Sequence, residues 1–244
     1  MEKLENNNQQ NDFLSSTGEP LDPESFFLKL FLDRMKEEKR EKLERYRHLN
    51  KMVLQGQILF VGSSLMEQFP IYEFLLNRKL PYIIYNRGIG GFTTQELLES
   101  LDVCIYDLRP SKIFINIGTN DLNSADYVEE SLIRRYRQIL EKIREHLPKV
   151  KLYLMAYYPV NPEAAAGVQY LEAMMRHRTN KRIASANTAI QRLAEEFNAV
   201  YIDCNEGITD CKGQLKAEYT VEGLHMYGDG YLPVHEALLP YLSE

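Results

Sequence analysis

Four short segments of the chain hold residue types that could carry covalent chemistry. Gly62-Ser63-Ser64 sets a small residue beside two hydroxyls. At a strand-to-helix turn such a serine can face a cleft, although Gly-Ser-Ser is also ordinary turn or helix-cap chemistry. Gly88-Ile89-Gly90-Gly91 has three glycines in four positions, which lets a backbone turn tightly and aim its N–H groups outward. An oxyanion or a phosphate would suit that loop. The dinucleotide fingerprint, however, needs its third glycine at position 93, where the chain has Thr93, and this argues against a nucleotide. In Gly118-Thr119-Asn120-Asp121, a carboxamide at a strand end can donate N–H to a developing negative charge, or simply close an Asx-turn. In Glu222-Gly223-Leu224-His225, a carboxylate three residues before a histidine can meet and orient the imidazole within one turn. Each piece is weak alone. Jointly they supply a nucleophile, two kinds of oxyanion donor and a base, which is the set that acyl transfer needs.

The surrounding elements make that joint placement meaningful. Apolar runs recur at Ile58–Val61, Tyr82–Tyr85, Ile113–Ile117, Leu152–Met155 and Ala199–Ile202, without polar alternation. Such runs suit parallel strands covered on both faces. Helical spacing fills the gaps between them: Leu132, Tyr136, Ile139, Ile143 and Leu147 share one face, and Ile183, Ile190, Leu193 and Phe197 another. Strand–helix alternation predicts a doubly wound α/β sheet with right-handed crossovers. Ligands of such sheets bind beyond the carboxyl ends of the strands, and the serine, the glycine loop and the asparagine each follow a predicted strand.

In order, these four segments resemble the conserved blocks of SGNH (GDSL-type) hydrolases, over roughly residues 57–243 and including the closing Gly230-Tyr231. Within that family the chain is most similar in look to bacterial platelet-activating-factor acetylhydrolase-like esterases. The resemblance implies a three-layer α/β/α fold with a five-stranded parallel, flavodoxin-like sheet. It also implies a serine esterase acting on small or short-acyl esters, with no metal and no cofactor. On the match Ser64 is the nucleophile, His225 the base and Glu222 the orienting acid, while Ser64, Gly91 and Asn120 form the oxyanion hole. The chain departs from the pattern twice. Ser63 stands where the family usually has Asp, and Glu222 where it has the triad Asp. The longer Glu222 side chain leaves Asp203, Asp210 and Asp229 as other candidates for the acid. An acyltransferase would use the same site, and a silent binding domain would keep only the fold.

Composition sets the outer bounds. The 244 residues are 44% apolar, enough for one sizeable core, and 29 basic against 35 acidic residues give a net charge of −6, which argues against nucleic acid. Cys104, Cys204 and Cys211 have neither disulfide nor zinc spacing. No run of about 18 apolar residues predicts a membrane span, and the start lacks signal-peptide features, so a cytoplasmic protein is expected. Residues 1–20 read as a disordered lead, 21–51 as a helical extension opened by Asp22-Pro23-Glu24, and 52–244 as the hydrolase domain. The extension's apolar half reads as docking on the domain, or else as a homodimer contact made by Phe27, Leu30, Phe31 and Met35. The stretch from Asn161 to Thr179 carries Tyr170, Leu171, Met174 and Met175, which could wall an acyl pocket or form the buried side of a helix.

Overall fold

A computed structural model describes residues 22–244; the expected disordered lead lies outside the described residues. The chain divides into two compact units between Glu44 and Arg45. Helix α1 (Pro23–Asn50) crosses that division. It opens as its sequence predicts, with the Asp22 carboxylate accepting from Ser25 N at 3.1 Å and Ser25 Oγ at 2.6 Å. Phe27, Leu30 and Phe31 in its apolar half are more than half exposed, at 67%, 55% and 61%.

In the second unit the strands β1 (Ile58–Gly62), β2 (Ile84–Gly88), β3 (Lys112–Asn116), β4 (Lys151–Met155) and β5 (Val200–Ile202) form one parallel sheet in the order β2-β1-β3-β4-β5. This is the flavodoxin-like order that the resemblance implied. Between the strands lie α2 (Ser64–Glu67) and α3 (Ile71–Asn77), then α4 (Thr94–Glu99) and α5 (Leu101–Cys104). Further on come α6 (Glu129–His146), α7 (Gln169–Met175) and α8 (Asn180–Glu196), and α9 (Tyr231–Ser243) follows β5. Helices α4, α6 and α8 pack in succession on one another, whereas α3 and α9 share a core with the other face.

That second core shows how period-two burial works when both faces are covered. Phe60, Phe114 and Tyr153 sit side by side in register on β1, β3 and β4. Their rings are 5.0 Å and 4.4 Å apart, and all three are essentially unexposed. Burying each contributes about 1.5–3 kcal/mol. The intervening Leu59, Ile113 and Leu154 are equally buried and point the other way.

One element shifts from its expected place. The second strand is not Tyr82–Tyr85 but Ile84–Gly88, so Asn86 and Arg87 pair within the sheet instead of opening the loop. Two features explain the shift. β2 is an edge strand, where polar residues face fewer neighbours, and Asn86 is held on both sides. Its amide donates to Met66 O at 2.6 Å and its Oδ1 accepts from Gly88 N at 2.9 Å. The end of α1 secures the same strand. Tyr46 Oη donates to Gly88 O at 2.6 Å, and Arg87 donates to Asn50 Oδ1 through Nε and Nη2. Among the described residues no helix is long and apolar enough to cross a membrane.

Candidate active site

The carboxyl ends of β1 and β3 touch. A Cβ on Gly62 would collide with the Asn116 carbonyl, so only glycine permits this approach, and Ser63 N donates to that carbonyl at 3.3 Å. The chain then turns directly into α2, with Ser64 as its first residue. The glycine loop is tied in at both ends. Ile89 N donates to Gly62 O at 3.0 Å, and Phe92 O accepts from Asn120 Nδ2 at 2.9 Å. Gly91, at φ 72°, lies between those two ties, one at the end of β1 and one on the asparagine.

His225 reaches Ser64 across the site. Its Nε2 lies 2.9 Å from Ser64 Oγ, and its Nδ1 is hydrogen-bonded to Glu222 Oε1. An ionised carboxylate only accepts, so Nδ1 carries the proton and Nε2 presents its lone pair to the serine hydroxyl. The turn that makes this contact is tightly folded. Gly223 N donates to Thr220 Oγ1 at 2.7 Å, Thr220 Oγ1 donates to His225 O at 2.9 Å, and Glu222 Oε1 also accepts from His225 N at 3.2 Å. Gly223 sits at φ 95°, in the left-handed region, and a Cβ there would strike Asn161 O. Asp203, Asp210 and Asp229 are engaged elsewhere: they accept from the backbone N–H of Asn205, of Lys212 and Gln214, and of Gly230.

A GDSL-like lipase/acylhydrolase family model matches residues 60–232. The chain belongs to that family. The human platelet-activating factor acetylhydrolase IB subunit alpha2 is 25% identical over 193 residues, covering 77% of this chain and 78% of its own length. A Streptococcus pneumonia structure, provisionally described as a platelet activating factor, is 33% identical with a TM-score of 0.80, covering 89% of this chain and 99% of that one. A GDSL-like lipase from Bacteroides thetaiotaomicron shares the fold at 21% identity and a TM-score of 0.67, over 82% of this chain and 97% of its own. This GDSL-like chain is therefore a hydrolase of small molecules.

The two departures from the GDSL pattern have local consequences. Ser63 is buried, and its Oγ has no hydrogen-bond partner among the described residues, as is also true of Asn116 Oδ1 and Thr119 Oγ1 nearby in the fold. The shorter side chain thus changes hydrogen bonding beside Ser64. The longer Glu222 is accommodated by the reversal at Gly223.

The stretch around α7 carries both buried and exposed side chains. Leu171 and Met175 are buried, Met174 is partly exposed, and Tyr170 is 66% exposed. Met175 packs beneath Gly223, and Asn161 N donates to Gly223 O at 2.8 Å, so this stretch supports the histidine turn.

Several contacts at the GDSL site cannot be read from sequence spacing. Tyr231 Oη donates to Leu65 O at 2.9 Å, tying α9 to α2; burial, with the Glu222 charge adding, raises its pKa. Asp121 is not a mere turn residue. Its carboxylate accepts from Thr94 N, Thr94 Oγ1 and Arg135, an ion pair at 2.9 Å. Arg178, just after α7, is buried and donates to Asn120 Oδ1 at 2.7 Å and Asn123 Oδ1 at 2.8 Å. Only the folded chain brings residues this far apart in sequence together.

Proposed function

We propose that this chain is a serine esterase that cleaves small or short-acyl carboxylic esters. The observation that carries the reading is the unbroken hydrogen-bonded line from Ser64 Oγ through His225 to Glu222, lying at the carboxyl ends of the sheet. Ser64 Oγ attacks the ester carbonyl carbon as its proton passes to His225 Nε2. The carbonyl oxygen becomes an oxyanion, held by the backbone N–H of Ser64 and Gly91 and by Asn120 Nδ2. His225 then gives its proton to the departing alkoxide, leaving an acyl-Ser64. Water, deprotonated by the same imidazole, attacks that acyl group; the bond to Ser64 Oγ breaks, His225 returns the proton to Ser64 Oγ, and the carboxylic acid leaves. Glu222 keeps Nδ1 protonated and steadies the imidazolium.

An acetyl or similarly short acyl group is the favoured substrate class, in keeping with the acetylhydrolase among the relatives. The reading is tested with a fluorophosphonate probe, which should label the protein once, on Ser64, and fail on Ser64→Ala. A chain-length series of p-nitrophenyl esters then reports acyl preference, with acetate and propionate expected to be turned over fastest. Labelling of Ser64→Ala, or of none of the variants, would sink the serine mechanism.

A further inference from the structure

A desolvated guanidinium stands directly behind the oxyanion asparagine. Arg178 is only 5% exposed, and burial pushes its pKa down to about 10, so it remains a cation at neutral pH. Its Nε donates to Asn123 Oδ1 and its Nη2 to Asn120 Oδ1, both neutral acceptors. Among the described residues no carboxylate forms an ion pair with it. The nearby Asp121 is already taken by Arg135, Thr94 N and Thr94 Oγ1. Behind the loop, buried Arg178 and partly exposed Arg135 thus share one carboxylate, Asp121, which is bonded to Arg135 and acts on Arg178 only through its charge. Burying a cation against neutral partners costs stability, and an apolar side chain would fill the space more cheaply. What the cation gains lies at Asn120.

We propose that Arg178 is a positioning residue for the oxyanion hole, fixing and polarising the Asn120 amide. The inference rests on the esterase reading of Ser64 and Asn120. A side-chain amide has one oxygen and two N–H donors. Arg178 takes the oxygen, so the nitrogen is forced to the opposite side. There one N–H is spent on Phe92 O, and the other is left for the acyl oxygen. A cation bonded to Oδ1 also draws electron density from the amide, and that strengthens the remaining N–H as a donor. The effect grows as negative charge develops, so it is felt in the transition state more than in substrate binding. The backbone holding Arg178 is firm. Arg178 N donates to Met174 O at 2.9 Å, and the next residue, Thr179, caps α8 through its side chain.

The test is a double-mutant cycle on p-nitrophenyl acetate hydrolysis. Asn120→Ala should lower kcat by about 10²- to 10³-fold. Arg178→Met should lower kcat by about 10- to 100-fold, the range for a lost charged hydrogen bond, with KM within about twofold of wild type. In the Asn120→Ala background Arg178→Met should change kcat by less than about threefold, because its effect passes through the missing amide. Arg178→Lys, which keeps the charge without the fork, should recover part of the loss. If Arg178→Met unfolds the protein, the cycle is run with Arg178→Lys, whose smaller deficit should likewise vanish beside Asn120→Ala. Full multiplication of the two effects, or a normal kcat in Arg178→Met, overturns the positioning role. A normal kcat in Asn120→Ala overturns the oxyanion reading itself, and the inference falls with it.

Discussion

His225 is held by a carboxylate three positions away, within a single turn, whereas Asn120 is held by partners 28 and 58 positions away on other elements. The first arrangement is a local motif: glycine at a left-handed position, a threonine hydroxyl bridging the turn, and acid and base on the same short loop. The second is a tertiary one, in which the glycine loop and the residue after α7 converge on one amide. Substitutions on the histidine side should therefore act through chemistry at the replaced atom. Those on the oxyanion side should act through geometry shared among distant segments.

The sharpest test is Ser64→Ala, which removes the hydroxyl that His225 Nε2 meets. It should cut turnover by about 10⁴-fold or more, because the members of such a triad act as a unit. Ser63→Ala should cost far less, since its hydroxyl has no partner among the described residues to lose. An active Ser64→Ala with a dead Ser63→Ala would reverse the assignment. Next in size is Glu222→Gln, expected to cost up to about 10⁴-fold in kcat by favouring the wrong imidazole tautomer. Glu222→Asp should keep activity. Near-normal turnover in Glu222→Gln beside a crippled Asp203→Asn would move the orienting acid off the local turn and dissolve the contrast.

On the tertiary side, Asn120→Ala should lower kcat by about 10²- to 10³-fold with KM little changed, the usual loss for one oxyanion donor. A change confined to KM in steady-state kinetics would make Asn120 a substrate-binding residue instead.

The smallest effect concerns stability and lies outside both sides. His235 is fully buried against Phe74, with neither ring nitrogen hydrogen-bonded among the described residues. Burial pushes its pKa below 6.5, Arg78 adds to that, and Glu236 opposes it. The unfolded chain then binds this proton before the folded one does as pH falls. The His235 contribution is therefore intact above about pH 6.5 and erodes below it, by at most about 1.4 kcal/mol per pH unit. Urea midpoints at about pH 7.5 and pH 5 should differ less in His235→Phe than in wild type; an unchanged difference would place the acid sensitivity elsewhere.

The same contrast explains what could be read from the residues in advance. The parallel sheet was legible because Ile58–Val61, Ile113–Ile117 and Leu152–Met155 are covered on both faces and carry no polar alternation. The second strand was misplaced because an edge strand tolerates Asn86 and Arg87, whose bonds to Met66 O and Asn50 come from other elements. At the site, the Glu222–His225 contact needs only the reversal of one turn, and a spacing of three reveals it. Arg178 has no such signature. It is one arginine among many until α7 and the strand-end loop are folded against each other, and the same holds for the ion pair between Asp121 and Arg135. Met175 shows the converse: an apolar stripe in sequence, it serves as a support beneath Gly223.

The hydrogen bond between Ser64 and His225 joins residues 161 positions apart, and the one between Tyr231 and Leu65 joins residues 166 apart. Closing so long a loop carries an entropic cost that only the assembled sheet and its helices repay. No fragment holding just β1 and Ser64, or just the Glu222–His225 turn, contains both the imidazole and the serine. The pairing of Ser64 with His225 is thus a property of the cooperative folded state as a whole. It is lost with the parallel sheet, whereas the contact between Glu222 and His225 closes within one turn that Asn161 N steadies through Gly223 O.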